Sequence, residues 1–148
     1  MLPIKRILVP IDFAELSNRA FQIAASLARE HNAQLVLLHV VPLAAVMYGP
    51  PPENYLDHLR DELRHLGSSD PNTRVQCLLV EGNPATEIVR EARENKCDLI
   101  VMGTHGRTGL NRFVMGSVAE EVVRKAPCLV LIVTTEVPAN LSGESSMC

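Results

Sequence analysis

The chain predicts an α/β fold: a five-stranded parallel sheet with helices on both faces. Three observations lead there. Five short apolar runs, Ile7 to Ile11, Leu35 to Val41, Val75 to Val80, Leu99 to Met102 and Leu129 to Val133, are continuous rather than alternating, as strands covered on both faces are. The segments between them carry apolar residues at helical spacing. Strand and helix therefore alternate from end to end, and that order folds as parallel strands joined by right-handed crossovers.

Each element has its own signal. After the first strand, Leu16, Ala20, Ile23, Ala24 and Leu27 form one buried stripe over Glu15 to Glu30, and Asp12-x-x-Glu15 reads as an N-terminal capping box for that helix. Residues 42 to 52 hold four prolines and one glycine and are longer than a βα connection needs, which suits either a lid or a mobile connector. Asn54 to Leu66 repeats the helical period with Leu56, Leu59, Leu63 and Leu66. The third helix is opened by Asn83 as cap and Pro84 at its first position, with Ile88 and Ala92 inward. The fourth runs from Ser117 to Lys125 and stops before Pro127. From Val137 the residues are small and polar, so residues 1–136 are expected as one domain and 137–148 as a flexible tail.

A chain of 148 residues can bury one core without disulfides or metals, and three phenylalanines leave that core to Leu, Val, Ile and Ala. The net charge of −3 exerts no long-range pull on phosphodiester backbones or anionic headgroups, so neither nucleic acid nor membrane is expected as a partner. The apolar run behind Met1 to Arg6 is too short for a signal peptide, no segment approaches about 20 apolar residues, and a cytoplasmic location is expected. Cys77, Cys97, Cys128 and Cys148 are scattered, without C-x-x-C spacing, and read as reduced thiols.

The stretch that carries chemistry runs from Gly103 to Ser117, between the fourth strand and the fourth helix. It leaves the carboxyl end of a strand, where open α/β sheets place their ligands. Its glycines let successive N–H groups converge on one concavity. Gly116-Ser117 then opens a helix whose unpaired N–H groups and positive dipole end favour phosphate. Other readings stand beside this one. Glycines can serve a plain chain reversal, and Ser117-x-x-Glu120 matches a capping box that satisfies the helix end without a ligand. Arg107 and Arg112 are loop charges, of which Arg107 is preferred as a phosphate ligand because it adjoins Gly106. Neither the dinucleotide nor the P-loop fingerprint is present.

Gly103-x-x-Gly106, nine residues, then Gly116-Ser117 resembles the G-x2-G-x9-G-[ST] signature of the universal stress protein family, in its ATP-binding branch. Ile7-Leu-Val-Pro-Ile-Asp12, Leu37-Leu-His-Val40 and Asp98-Leu-Ile-Val-Met-Gly103 resemble its first, second and fourth strands, so the similarity covers residues 4 to 133. The resemblance implies a Rossmann-like sheet of order 3-2-1-4-5 that holds ATP. It places Pro10 and Asp12 at the nucleoside, the Val40 backbone at adenine, and Met102 and Gly103 at ribose. Gly106, Gly116, Ser117 and Val118 fall at the phosphates. ATP would bring Mg²⁺ on its own phosphates, with no protein ligand for the metal named, and AMP is an alternative nucleotide. The resemblance further implies a homodimer through Leu129 to Val133, a strand that the element order also puts at a sheet edge.

Of the histidines, His39 reads as a hydrogen-bonded core residue, His105 lies inside the loop without a partner, and His58 and His65 face solvent on the second helix. No Ser/His/Asp grouping, carboxylate pair or metal cluster stands out, so the expected role is nucleotide-dependent regulation in stress, with weak ATP hydrolysis at most. The rival readings are an ATPase or nucleotidyl-transfer enzyme and a partner-binding protein with an empty pocket.

Overall fold

The computed structural model describes residues 3–43, 48–104 and 115–134. His105, Gly106, Arg107 and Arg112, the tail expected from residue 137, and residues 44–47 of the proline-rich connection lie outside the described residues.

Among the described residues, nine elements follow the alternation read from the sequence: β1 (Arg6–Pro10), α1 (Glu15–His31), β2 (Gln34–Val41), α2 (Tyr55–Ser68), β3 (Val75–Glu81), α3 (Pro84–Glu94), β4 (Leu99–Gly103), α4 (Ser117–Lys125) and β5 (Leu129–Val133). The strands form one parallel sheet of order β3-β2-β1-β4-β5. This is the order the resemblance implied.

Side chains on successive strand residues point to opposite faces, and here both faces are covered. Ile7, Val9, Leu35, Leu37 and Val101 pack with α1 and with Leu63 of α2. Leu8, Val36, Leu38, Ile100 and Met102 pack on the other face with α3 and α4. Both halves of the alternation are thus apolar, which is why the runs look continuous. Leu8 is fully buried, and truncating such a leucine to alanine costs about 2–5 kcal/mol. At the sheet edges the expectation of two covered faces fails. Leu129 and Leu131 of β5 are 53% and 39% exposed, because only β4 flanks that strand and α4 covers one side of it.

Local signals end the elements. Asn32, in the left-handed conformation that asparagine tolerates, stops α1, and Ala33 N–H closes the last turn on Ala28 O. Asn83 caps α3 as expected, its Oδ1 accepting the Thr86 N–H at 3.1 Å. Neither predicted capping box forms. α1 begins at Glu15 with Ala14 as its cap, which leaves Asp12 too far upstream, and α4 is capped by Gly116, which makes Ser117 the first helical residue.

Candidate functional site

The C-terminal ends of β1, β2 and β4 open into a cleft of about 560 Å³. Its position follows from topology. β1 and β4 are neighbours, but the chain leaves β1 into α1 on one face and β4 into α4 on the other, so a crevice opens between the two exits.

At the β1 exit, Ile11 N–H donates to Leu38 O at 2.8 Å, the last rung between β1 and β2. The chain then turns sharply. Asp12 Oδ1 accepts the Ala14 N–H at 2.9 Å, Phe13 takes a left-handed φ of 65°, and the buried Ser17 hydroxyl donates to Ala14 O at 3.0 Å. Asp12 therefore braces the turn ahead of α1 instead of capping the helix.

At the β2 end, the parallel ladder fixes where the backbone points. Successive residues of a strand turn their N–H and C=O groups alternately to one neighbouring strand and the other. Leu38 faces β1, since its carbonyl accepts from Ile11, and Val41 faces β3, since its carbonyl accepts the Gly82 N–H at 3.0 Å. Val40 therefore faces β1 again, beyond the point where pairing with β1 has ended at Pro10 and Leu38. Its N–H and C=O form no hydrogen bond on that side among the described residues, and both open to the cleft.

At the β4 exit, Thr104 N–H donates to Val133 O at 3.0 Å, and Thr104 O accepts the Gly116 N–H at 2.7 Å. Thr104 and Gly116 are thus held side by side at the β4 exit. Gly116 is extended and has no side chain with which to cap α4. The first intrahelical bond is Glu120 N–H to Gly116 O at 2.9 Å, so the N–H groups of Ser117, Val118 and Ala119 form no hydrogen bond among the described residues. All three residues line the cleft. Unpaired N–H groups at the positive end of a helix are a ready anion site.

The two ends of the cleft differ in chemistry. Toward β2 it is walled by Val40, Pro42, Tyr55, Leu59, Pro84 and Ile88, and toward β4 by Gly103, Thr104 and the start of α4. An apolar slot with a donor and acceptor pair at one end and a cluster of amide donors at the other matches a planar heterocycle carrying phosphates. The titratable groups with resolved shifts lie elsewhere. Burial, together with the neighbouring Cys128 thiol, pushes Cys97 up to about 12, and that residue sits before β4, at the opposite end of the sheet. No group of His, Cys, Asp and Glu among the described residues could hold a metal ion.

Residues 3–134 match the sequence model of the universal stress protein family. The chain belongs to that family. Universal stress protein MJ0531 of Methanocaldococcus jannaschii is 35% identical over 139 residues, covering 87% of this chain and 81% of the relative. Among solved structures, a universal stress protein in complex with cAMP superposes with a TM-score of 0.68 at 26% identity, covering 89% of this chain and 98% of the other. The universal stress protein of Archaeoglobus fulgidus in complex with dAMP gives 0.68 at 25% identity, covering 89% and 99%.

The described residues that the resemblance placed at the nucleotide all line this cleft: Pro10, Asp12 and Val40 from the β1 and β2 exits, Met102 and Gly103 from β4, and Gly116, Ser117 and Val118 at α4. His39 is hydrogen-bonded as expected, its Nδ1 2.6 Å from Ile11 O, and it lines the cleft as well. His58 is exposed and pairs with Glu62 at 2.8 Å. Sequence reasoning missed Tyr55, Leu59, Pro84 and Ile88. In sequence these belong to the apolar stripes and cap of α2 and α3, and nothing separates a stripe residue that meets the cleft from one that meets the core.

Proposed function

We propose that the cleft binds an adenine nucleotide, ATP with its Mg²⁺, and that the chain acts as a nucleotide-dependent regulatory protein whose ligand biases conformation or association. One observation carries the reading: three open helix N–H groups at Ser117 to Ala119 face the same cleft as the open donor and acceptor of Val40. The relatives solved with cAMP and dAMP support it.

In this reading Val40 pairs with the adenine edge, Pro10 and Asp12 flank the nucleoside, and Met102 and Gly103 pack against ribose. Gly106, Arg107, Gly116, Ser117 and Val118 hold the phosphates. Hydrogen bonds to charged groups contribute about 1.5–3 kcal/mol each and a helix terminus roughly 0.3–1, so three amides reach several kcal/mol. With the apolar base slot, that is enough for micromolar affinity, about −8 kcal/mol, after ordering costs. The cation would ride on the phosphates, whose charge it offsets, and no protein ligand is assigned to it. Binding without dedicated turnover machinery fits a cytoplasmic switch better than an enzyme, and ATP hydrolysis that scales with protein and disappears in Gly116→Val would favour the ATPase reading instead. The exposed apolar edge of β5 is where a second copy pairs, giving a homodimer.

Thermal denaturation with MgATP tests the reading. At a hundredfold excess over Kd, binding adds about 2.7 kcal/mol, a rise of roughly 5–10 °C in Tm. An unchanged Tm at millimolar ATP would refute nucleotide binding and favour a partner-binding protein with an empty pocket.

A further inference from the structure

We propose that His39 is a positioning residue that keeps the Val40 amide open for the nucleobase, an inference that rests on the nucleotide reading above. The β1–β2 ladder predicts the next rung. After Ile11 N–H to Leu38 O, the Val40 N–H should donate to Ile11 O. That bond is not formed: the chain turns away after Ile11, and Ile11 O lies instead 2.6 Å from His39 Nδ1. A carbonyl oxygen only accepts, so Nδ1 carries the proton in this contact. The imidazole of one β2 residue thus donates to the carbonyl toward which the ladder directs the amide of the next, and holds that carbonyl away from the missing rung. Pairing stops at Pro10 and Leu38, and the Val40 N–H is left to the cleft.

The surroundings hold the imidazole in place. The Phe13 ring lies against it, with centroids 4.9 Å apart and planes at 47°. Phe13 reaches that position through its left-handed φ of 65°, a costly conformation for a bulky side chain, and the Asp12 carboxylate braces the same turn at Ala14. Ile11 is 3% exposed, so its carbonyl needs a partner within the protein. Without the imidazole that partner is the Val40 N–H, and the extra rung withdraws the donor that faces the base.

The consequence is selectivity. Adenine presents an acceptor at N1 and donors at its exocyclic amine, which complements the Val40 N–H and C=O. Guanine presents N1–H and O6, the reverse order, and its N1–H opposes the Val40 N–H. His39 therefore acts on base discrimination through the Val40 amide.

The test compares His39→Leu, which removes the donor, with His39→Asn, whose Nδ2 stands as many bonds from Cα as the histidine Nδ1. In wild type ATP binds more tightly than GTP. In His39→Leu the ATP affinity falls about tenfold, the worth of one hydrogen bond, and the preference over GTP collapses, while His39→Asn keeps both. A general loss of stability would weaken the two nucleotides alike. Amide exchange gives a second readout that needs no ligand: the Val40 N–H exchanges fast in wild type and His39→Asn and slowly in His39→Leu. A folded His39→Leu protein with wild-type preference for ATP overturns the proposal, as does a protected Val40 amide in the ligand-free wild type. If wild type binds neither nucleotide, the binding reading fails, and Val40 exchange still decides the role of His39.

Discussion

Gly103 ends β4 at the floor of the cleft, and a methyl group there has nowhere to go. A Cβ built on it would lie 2.8 Å from Leu16 Cγ and 2.9 Å from Leu16 Cδ2. Carbon atoms in contact sit about 3.5–4.0 Å apart, so in Gly103→Ala the Leu16 side chain must retreat by most of an ångström. Cγ is not the free end of that side chain, and Leu16 packs against the buried cluster under α1, so the retreat disturbs the core. Overpacking of this kind costs about 1–3 kcal/mol, or roughly 2–12 °C in Tm for a chain this long. Leu16→Ala removes the obstacle, and in that background Gly103→Ala should cost close to nothing, a coupling of about 1–3 kcal/mol. Urea denaturation of the wild type, both single variants and the double variant measures it. Equal cost of Gly103→Ala in both backgrounds would refute the proposed contact between the two residues.

Three further outcomes follow from the same structure. Asn83→Ala removes the only side-chain cap on α3 among the described residues and should destabilise the fold by about 1 kcal/mol, seen as a Tm drop of roughly 2–4 °C. The Cys97 thiol is raised from 9.0 to about 12 in the fold, so the neutral form is favoured there and unfolding releases a proton once the pH passes 9. Stability present in full below pH 9 is then lost progressively up to about pH 12, and Cys97→Ala should flatten that decline in chemical denaturation across the window; an identical decline would disprove it. Leu131→Glu puts a charge on the exposed edge strand and should convert the proposed dimer to monomer in sedimentation at micromolar concentration, whereas a monomeric wild type would remove the dimer proposal.

The sheet was legible in the sequence because both faces of its inner strands are covered. Leu8 and Val9 are buried against different helices, so the run that contains them has no polar alternation and could be read directly. The start of α3 was legible for a second reason, since asparagine followed by proline has one good use at that spacing. Gly103, Gly116 and Ser117 could be read as neighbours in one site because their spacing is itself the signal, and all three line the cleft. The capping boxes were misread because a cap depends on the residue at which the helix begins. Asp12 serves the turn around Phe13, and that turn depends on a left-handed phenylalanine that no propensity predicts. Tyr55, Leu59, Pro84 and Ile88 were invisible as cleft residues because their apolar character is equally what α2 and α3 need for burial. His39 was recognised as hydrogen-bonded, but its partner comes from a different strand, and only the register shows which amide it displaces.

The central claim is that the amides of Ser117, Val118 and Ala119 receive phosphate while the Val40 backbone receives the base. Backbone amide spectra recorded during an MgATP titration observe all four groups directly. The account predicts saturable shifts that are largest at these four N–H groups, with the Gly116→Val variant losing them. Saturable shifts confined to another part of the chain, or none at millimolar ATP, would contradict it.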